Sequence, residues 1–93
     1  MITAKTEDGF VVELSEDTLD DAELLDALGG MQDSDVFAMG KLAVRLLGKA
    51  GKKKLYDHLR NPEGRVPVAA VATALGELMN SFAAGKNSAS SPN

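Results

Sequence analysis

The stretch KKKLYDHLRNPEGRVP, Lys52 to Pro67, joins a dense basic cluster to a helix end, a tight turn and a fresh helix start. From Lys52 to Arg60 the apolar residues are Leu55, Tyr56 and Leu59, the mark of a narrow-faced, mostly solvated helix. Asn61-Pro62-Glu63-Gly64 then reads as a turn, because Pro presets φ and Gly accepts a left-handed conformation that other residues resist. Pro67 suits the first turn of a last helix. Behind it Val68, Val71, Leu75, Leu78, Met79 and Phe82 recur at spacings of three and four, the strongest amphipathic pattern in the chain.

Upstream the pattern changes twice. Val36 to Leu47 is apolar nearly all round, interrupted mainly by Lys41 and Arg45, and reads as a central buried helix with an N-cap offered by Asp33, Ser34 and Asp35. Gly48 and Gly51 bracket Lys49-Ala50 as a break before the lysine-rich helix. Asp20 followed by Glu23 has the spacing of a capping box for a short first helix, with Ala22, Leu24, Leu25 and Leu28 as its stripe and Gly29-Gly30 as its end. Before that, Ile2 to Lys5 and Phe10 to Leu14 carry β-formers around a Glu7-Asp8-Gly9 turn, so a hairpin is predicted. A two-stranded hairpin is marginal alone and must lie on helices. The predicted fold is therefore α+β and mainly helical, a short N-terminal hairpin packed on about four α-helices. One globular domain is expected over residues 1–85, with a disordered polar tail at 86–93, where the sequence is KNSASSPN.

Composition narrows the function classes. At 93 residues the chain holds one domain with a modest core, and oligomerisation is a natural further source of stability. With 44% hydrophobic and 26% charged residues it has the balance of an ordinary globular protein, not a disordered one. The absence of Cys removes disulfides, a thiolate nucleophile and Cys-ligated zinc, and fits a reducing cytoplasm. No basic start precedes an apolar run, and no segment approaches the roughly 20 apolar residues of a spanning helix, so neither secretion nor a membrane is expected. Charge is unevenly placed. Residues 1–40 hold one Lys against eleven Asp and Glu, a balance of −10, whereas residues 41–93 hold nine Lys and Arg against three Asp and Glu, a balance of +6. Either the halves neutralise each other within one fold, or they meet an oppositely charged partner, another copy included.

Convergent chemistry is scarce. Tyr56-Asp57-His58 are consecutive, and on a helix consecutive side chains diverge by about 100°, so they do not gather on a substrate. The acidic residues Asp17, Asp20, Asp21, Glu23 and Asp26 read as helix capping and solvation, and Asp33-Ser34-Asp35 lacks the Gly and distal Glu of a calcium loop. GKAGKK, Gly48 to Lys53, has the wrong spacing for a phosphate loop and follows a helix instead of a strand. No catalytic, cofactor or metal site is predicted, and no enzyme. The same GKAG segment is similar to the GxxG loop of KH nucleic-acid-binding domains, with Lys49, Lys52, Lys53 and Lys54 as phosphate contacts, but Lys54 stands where an aliphatic residue is usual.

Three segments together carry a broader resemblance: DDAELLDAL at Asp20 to Leu28, LLGKAGKKKLYDHLR at Leu46 to Arg60, and NPEGRVPVAAV leading into the helix that ends near Phe82. Over roughly residues 1–87 the chain resembles the small tail assembly chaperones of long-tailed phages and prophages of Gram-positive bacteria. The resemblance implies a non-enzymatic protein of the host cytoplasm, absent from the mature virion, that coats the tape measure protein and recruits tail tube subunits. It also implies a longer form made by ribosomal frameshifting in many members. On this reading Val71, Leu75, Leu78 and Phe82 contribute to self-association or client contact, with Lys52, Lys53, Lys54, Arg60 and Arg65 as a basic rim and Tyr56 as a half-buried anchor beside it. The competing reading, which small size favours, makes the apolar stripe wholly intramolecular core. The alternative function is a small nucleic-acid-binding module using the GKAG helix-loop-helix.

Overall fold

A computed structural model describes residues 1–33 and 36–90, the side chains of Val36 and of residues 86–90 excepted. Alternation at the N-terminus gives β1 (Ile2–Lys5) and β2 (Val11–Leu14), paired antiparallel with Ile2 opposite Leu14 and Lys5 opposite Val11. Ile2, Ala4, Thr6 and Leu14 turn inward, while Thr3, Lys5, Val11 and Glu13 face solvent. Thr6 is the buried polar residue of the hairpin, and its hydroxyl is satisfied by accepting from Phe10 N and donating to the Asp8 carboxylate.

Among the described residues three helices follow: α1 (Ala22–Gln32), α2 (Val36–Leu59) and α3 (Val68–Ser90). The expected count of about four is thus too high. The break expected at GKAG is a kink at its first residue, since Gly48 leaves helical geometry, with φ 77° and ψ 170°. The predicted central and lysine-rich helices are two limbs of α2 meeting at that kink. The N-cap of α1 also differs by one residue. Asp21, not Asp20, is extended at φ −146° and accepts from Glu23 N and Leu24 N. Gly29-Gly30 does not end α1, since a helical glycine costs only about 1 kcal/mol and the helix continues through Met31, which packs on the core. Asp33 closes α1 instead of opening α2, its N–H reaching Gly29 O and Gly30 O. The other N-cap candidates, Ser34 and Asp35, lie outside the described residues. The expected polar tail, 86–93, coincides with the end of α3 and with residues 91–93, which also lie outside the described residues.

The connection from α2 to α3 is a closed turn. Gly64 N donates to Asn61 O at 2.9 Å with Gly64 at φ 85°, and the Asn61 side chain accepts from Glu63 N and Arg65 N. The turn sends α3 back across the hairpin, where Val71, Leu75, Leu78 and Phe82 are fully buried together with Leu24, Leu42 and Leu55. Each such side chain contributes about 1.5–3 kcal/mol relative to exposure. The outer edge of β1 lies on α3, with Lys5 N donating to Ser81 Oγ at 3.0 Å and Glu7 N to Glu77 Oε1 at 3.1 Å.

The kink supplies a direct test. Positive φ with extended ψ is a region open essentially to glycine alone, and a Cβ there costs about 1–3 kcal/mol. Gly48→Ala is expected to lower stability by that amount in urea unfolding. The space around Gly48 is otherwise open, so an unchanged urea midpoint would mean that the two limbs of α2 do not need the bend.

Candidate functional site

The residues of the Lys52 to Arg65 segment point in different directions. Lys52 lies over the Tyr56 ring with its Nζ 5.2 Å from the ring centroid, and the same ammonium sits beside Gly40 of the first limb, where a Cβ would be only 3.5 Å away. Lys53 pairs with Asp57 one turn on at 2.9 Å. Arg60 is structural: it binds Asp57 at 3.0 Å and donates to Gly64 O at 2.8 Å, fastening the helix end to the turn. Lys49, Lys54 and Arg65 are exposed. Tyr56, Asp57 and His58 address three separate partners, with His58 Nε2 3.2 Å from Asp8 Oδ1 and its ring 5.4 Å from that of Phe10. Among the described residues no cluster of three or more His, Cys, Asp or Glu is arranged to hold a metal ion.

The apolar half of the predicted contact surface does not face outward. Val71, Leu75, Leu78 and Phe82 are at most 1% exposed, so the stripe is core within one chain and is not available to a partner on the folded surface. A hairpin and a bent helix leave a small domain no other large apolar surface to close against, which is why the best amphipathic stripe is spent on the interior. Contrary to the expectation from sequence, Val68–Gly85 is long and apolar enough to cross a membrane by length and composition, with a mean hydropathy of 1.2. Its largest side chains are those of the domain core.

What the structure does bring to the surface is a groove of about 680 Å³ between α1 and the first limb of α2. The two helices run antiparallel, because Asp21 at the start of α1 meets Arg45 well along α2 at 2.8 Å. Small residues from both helices, Ala27, Gly30, Ala38 and Gly40 with Val44, make its floor. Glu23 and Asp26 form an acidic wall on α1, and Lys41, Arg45 and Lys52 a basic wall on α2. Phe37 stands at the end nearest the α1–α2 connection and is 82% exposed. The sequence pattern places Phe37 within a helix buried all round, and the structure corrects this. The signal that could have revealed it is size: a domain of this length cannot surround an all-apolar helix, so one face must be left outside.

No protein-family model matches this chain, and comparison with curated proteins and with solved structures finds no significant match to either.

The carboxylates that tie the groove and its surroundings are shifted downward. Burial works to raise the Asp21 carboxyl, but hydrogen bonds from Arg45 and from the Leu24 and Glu23 N–H groups outweigh it and hold it below its ordinary 3.8. Asp57 is lowered by Lys53 and then Arg60, and Asp8 by Thr6 and then His58. A folded-state value below the unfolded one gives stability that is present above the ordinary carboxylate range and lost as pH falls through the lower folded values. The urea midpoint is therefore expected to drop on acidification below about pH 4. Asp21→Asn should flatten that fall while lowering the midpoint at neutral pH. Equal acid sensitivity of wild type and D21N would show that the Asp21 contacts do not contribute.

Burial divides the apolar residues just as sharply. Leu75→Ala is expected to cost about 2–5 kcal/mol, and Leu75→Asp to unfold the protein. Leu25→Ala, at a residue 54% exposed on α1, should stay within about 0.5 kcal/mol of wild type in the same measurement.

Proposed function

We propose that this protein is a non-enzymatic assembly chaperone of phage or prophage tails, which binds the tape measure protein and tail tube subunits in the host bacterial cytoplasm and leaves before the virion is complete. The observation that carries this reading is the open groove between α1 and α2, with its small-residue floor, charged walls and the Phe37 ring. A groove of this kind suits the apolar stripe of an amphipathic helix, which is the form a long helical client offers. Its contacts are few per copy, so a client is held by many copies and released without chemistry. The sequence segments at Asp20 to Leu28, Leu46 to Arg60 and Asn61 to Val71 support the same assignment through their likeness to this chaperone family.

The nucleic-acid alternative draws less support. Lys49 and Lys54 are exposed, but the chain leaves helical geometry at Gly48 alone, and Lys52 and Lys53 are engaged by Tyr56 and Asp57.

Co-expression with the tape measure protein encoded in the same genome tests the chaperone reading. The tape measure protein is expected to stay soluble and to co-purify with the tagged chain, and Phe37→Asp is expected to reduce its retention while leaving the fold intact by circular dichroism. A tape measure protein that is equally soluble without this chain and never co-purifies would overturn the proposal.

A further inference from the structure

On the reading of the groove as a docking surface, we infer that it also takes a second copy of this chain, giving a two-fold dimer in which each α1 lies antiparallel on the α2 of the other copy. The argument is the placement of charge across the groove. One wall carries Glu23 and Asp26 and the opposite wall Lys41, Arg45 and Lys52, and since Glu23 and Arg45 already meet across the groove at 3.7 Å, Asp26 and Lys41 are the pair left to select a partner. Two such faces can be laid together about a two-fold axis along the groove or across it. An axis across the groove sets acid on acid and base on base. An axis along it sets the acidic wall of each copy on the basic wall of the other, so charge selects this arrangement and its register.

The register can be followed residue by residue. Asp21 meets Arg45 within one chain, and five residues further on α1 and four back on α2, a rise of about 6–8 Å in each, bring Asp26 near the level of Lys41. Neither Asp26 nor Lys41 is part of an ion pair among the described residues, unlike Asp21 and Arg45. In the dimer Asp26 faces Lys41 of the second copy, and the symmetry repeats the contact. Because an axis along the groove keeps each end beside its own counterpart, the two Phe37 rings come together over the small residues Ala27 and Gly30. An aromatic side chain that is 82% exposed is thereby covered, and floors of alanine and glycine let the helices approach closely. The dimer covers the surface that a client helix needs, so client binding and self-association compete.

Sedimentation velocity over a wide concentration range, with circular dichroism as a check on folding, tests this. Wild type is expected to pass from monomer to dimer, and Phe37→Asp to remain a folded monomer. Asp26→Lys and Lys41→Glu each place like charges at both symmetry-related contacts, and each alone is expected to weaken dimerisation by about tenfold or more. Mixing the two variants sets the introduced lysine against the introduced glutamate at one contact and keeps the native pair of Asp26 with Lys41 at the other. A heterodimer of wild-type strength should therefore form. Wild type that stays monomeric throughout, or variants whose mixture is no stronger than either alone, would overturn the inference. The chaperone reading is decided separately by co-purification of the tape measure protein. A monomer that still retains it removes only the dimer, and a charge-selected dimer that does not retain it removes only the chaperone.

Discussion

The hairpin cannot stand without α3, and that dependence organises the rest of the chain. Two four-residue strands bury too little to hold themselves together in water. They are held because Ile2, Ala4 and Leu14 share one core with Val71, Leu75, Leu78 and Phe82. Contact is close enough that a Cβ on Gly85 would lie 2.8 Å from Ile2 Cγ2, so the last turns of α3 carry glycine where β1 presses nearest. The backbone follows the same requirement, since the outward N–H groups of Lys5 and Glu7 find Ser81 and Glu77 one turn apart on α3. With that helix committed to the hairpin, α2 must serve both α1 and α3, and the bend at Gly48 lets its two limbs do so.

Charge plays a different role from apolar burial. The acidic first half and the basic second half do meet inside the fold, through Asp21 and Glu23 with Arg45. These are surface contacts, and exposed pairs of this type are worth little in stability, about 0–1 kcal/mol each. Their consequence is spatial. Once Asp21 and Glu23 are engaged by Arg45 at one end of the α1–α2 groove, Asp26 on one side and Lys41 on the other remain as opposed charges. Charge that contributes little to folding is thereby left to choose the orientation of whatever lies in the groove.

The elements of the fold that are legible in the sequence are those where a single force dominates. The spacing of Val71, Leu75, Leu78 and Phe82 marks one apolar helix face, and alternation from Ile2 to Leu14 around Asp8-Gly9 marks a hairpin. Where weak preferences compete, sequence misleads. Asp20 and Asp21 are equally good caps, and the capping-box spacing to Glu23 favours the wrong one because the reach of Arg45 from another helix is invisible in the local pattern. Glycines suggest stops at Gly29-Gly30 and at Gly48 and Gly51, yet helix propensity is a small penalty that packing overrides, and only Gly48 departs from the helix. The apolar stripe of α3 is legible as a stripe but not as interior or interface, since periodicity reports which side is apolar and not what covers it.

That last distinction also separates two candidate surfaces. Lysines in a row along a chain look like a binding patch, but a helix spreads them over its circumference, and here Lys52 turns to Tyr56, Lys53 to Asp57 and Arg60 to the turn carbonyl of Gly64. What is left is Lys49 and Lys54, both exposed. The groove has the opposite character. Its residues are scattered from Glu23 to Lys52 and form no motif, but antiparallel packing of α1 on α2 gathers them into one concave face with an apolar floor, two signs of charge and an aromatic ring. Binding that must be reversible and repeated along a long partner calls for modest apolar contact steered by charge, because weak contacts summed over many copies hold while each single contact still releases. The groove meets that requirement with its apolar floor and with the charges of Asp26 and Lys41, neither of them ion-paired among the described residues.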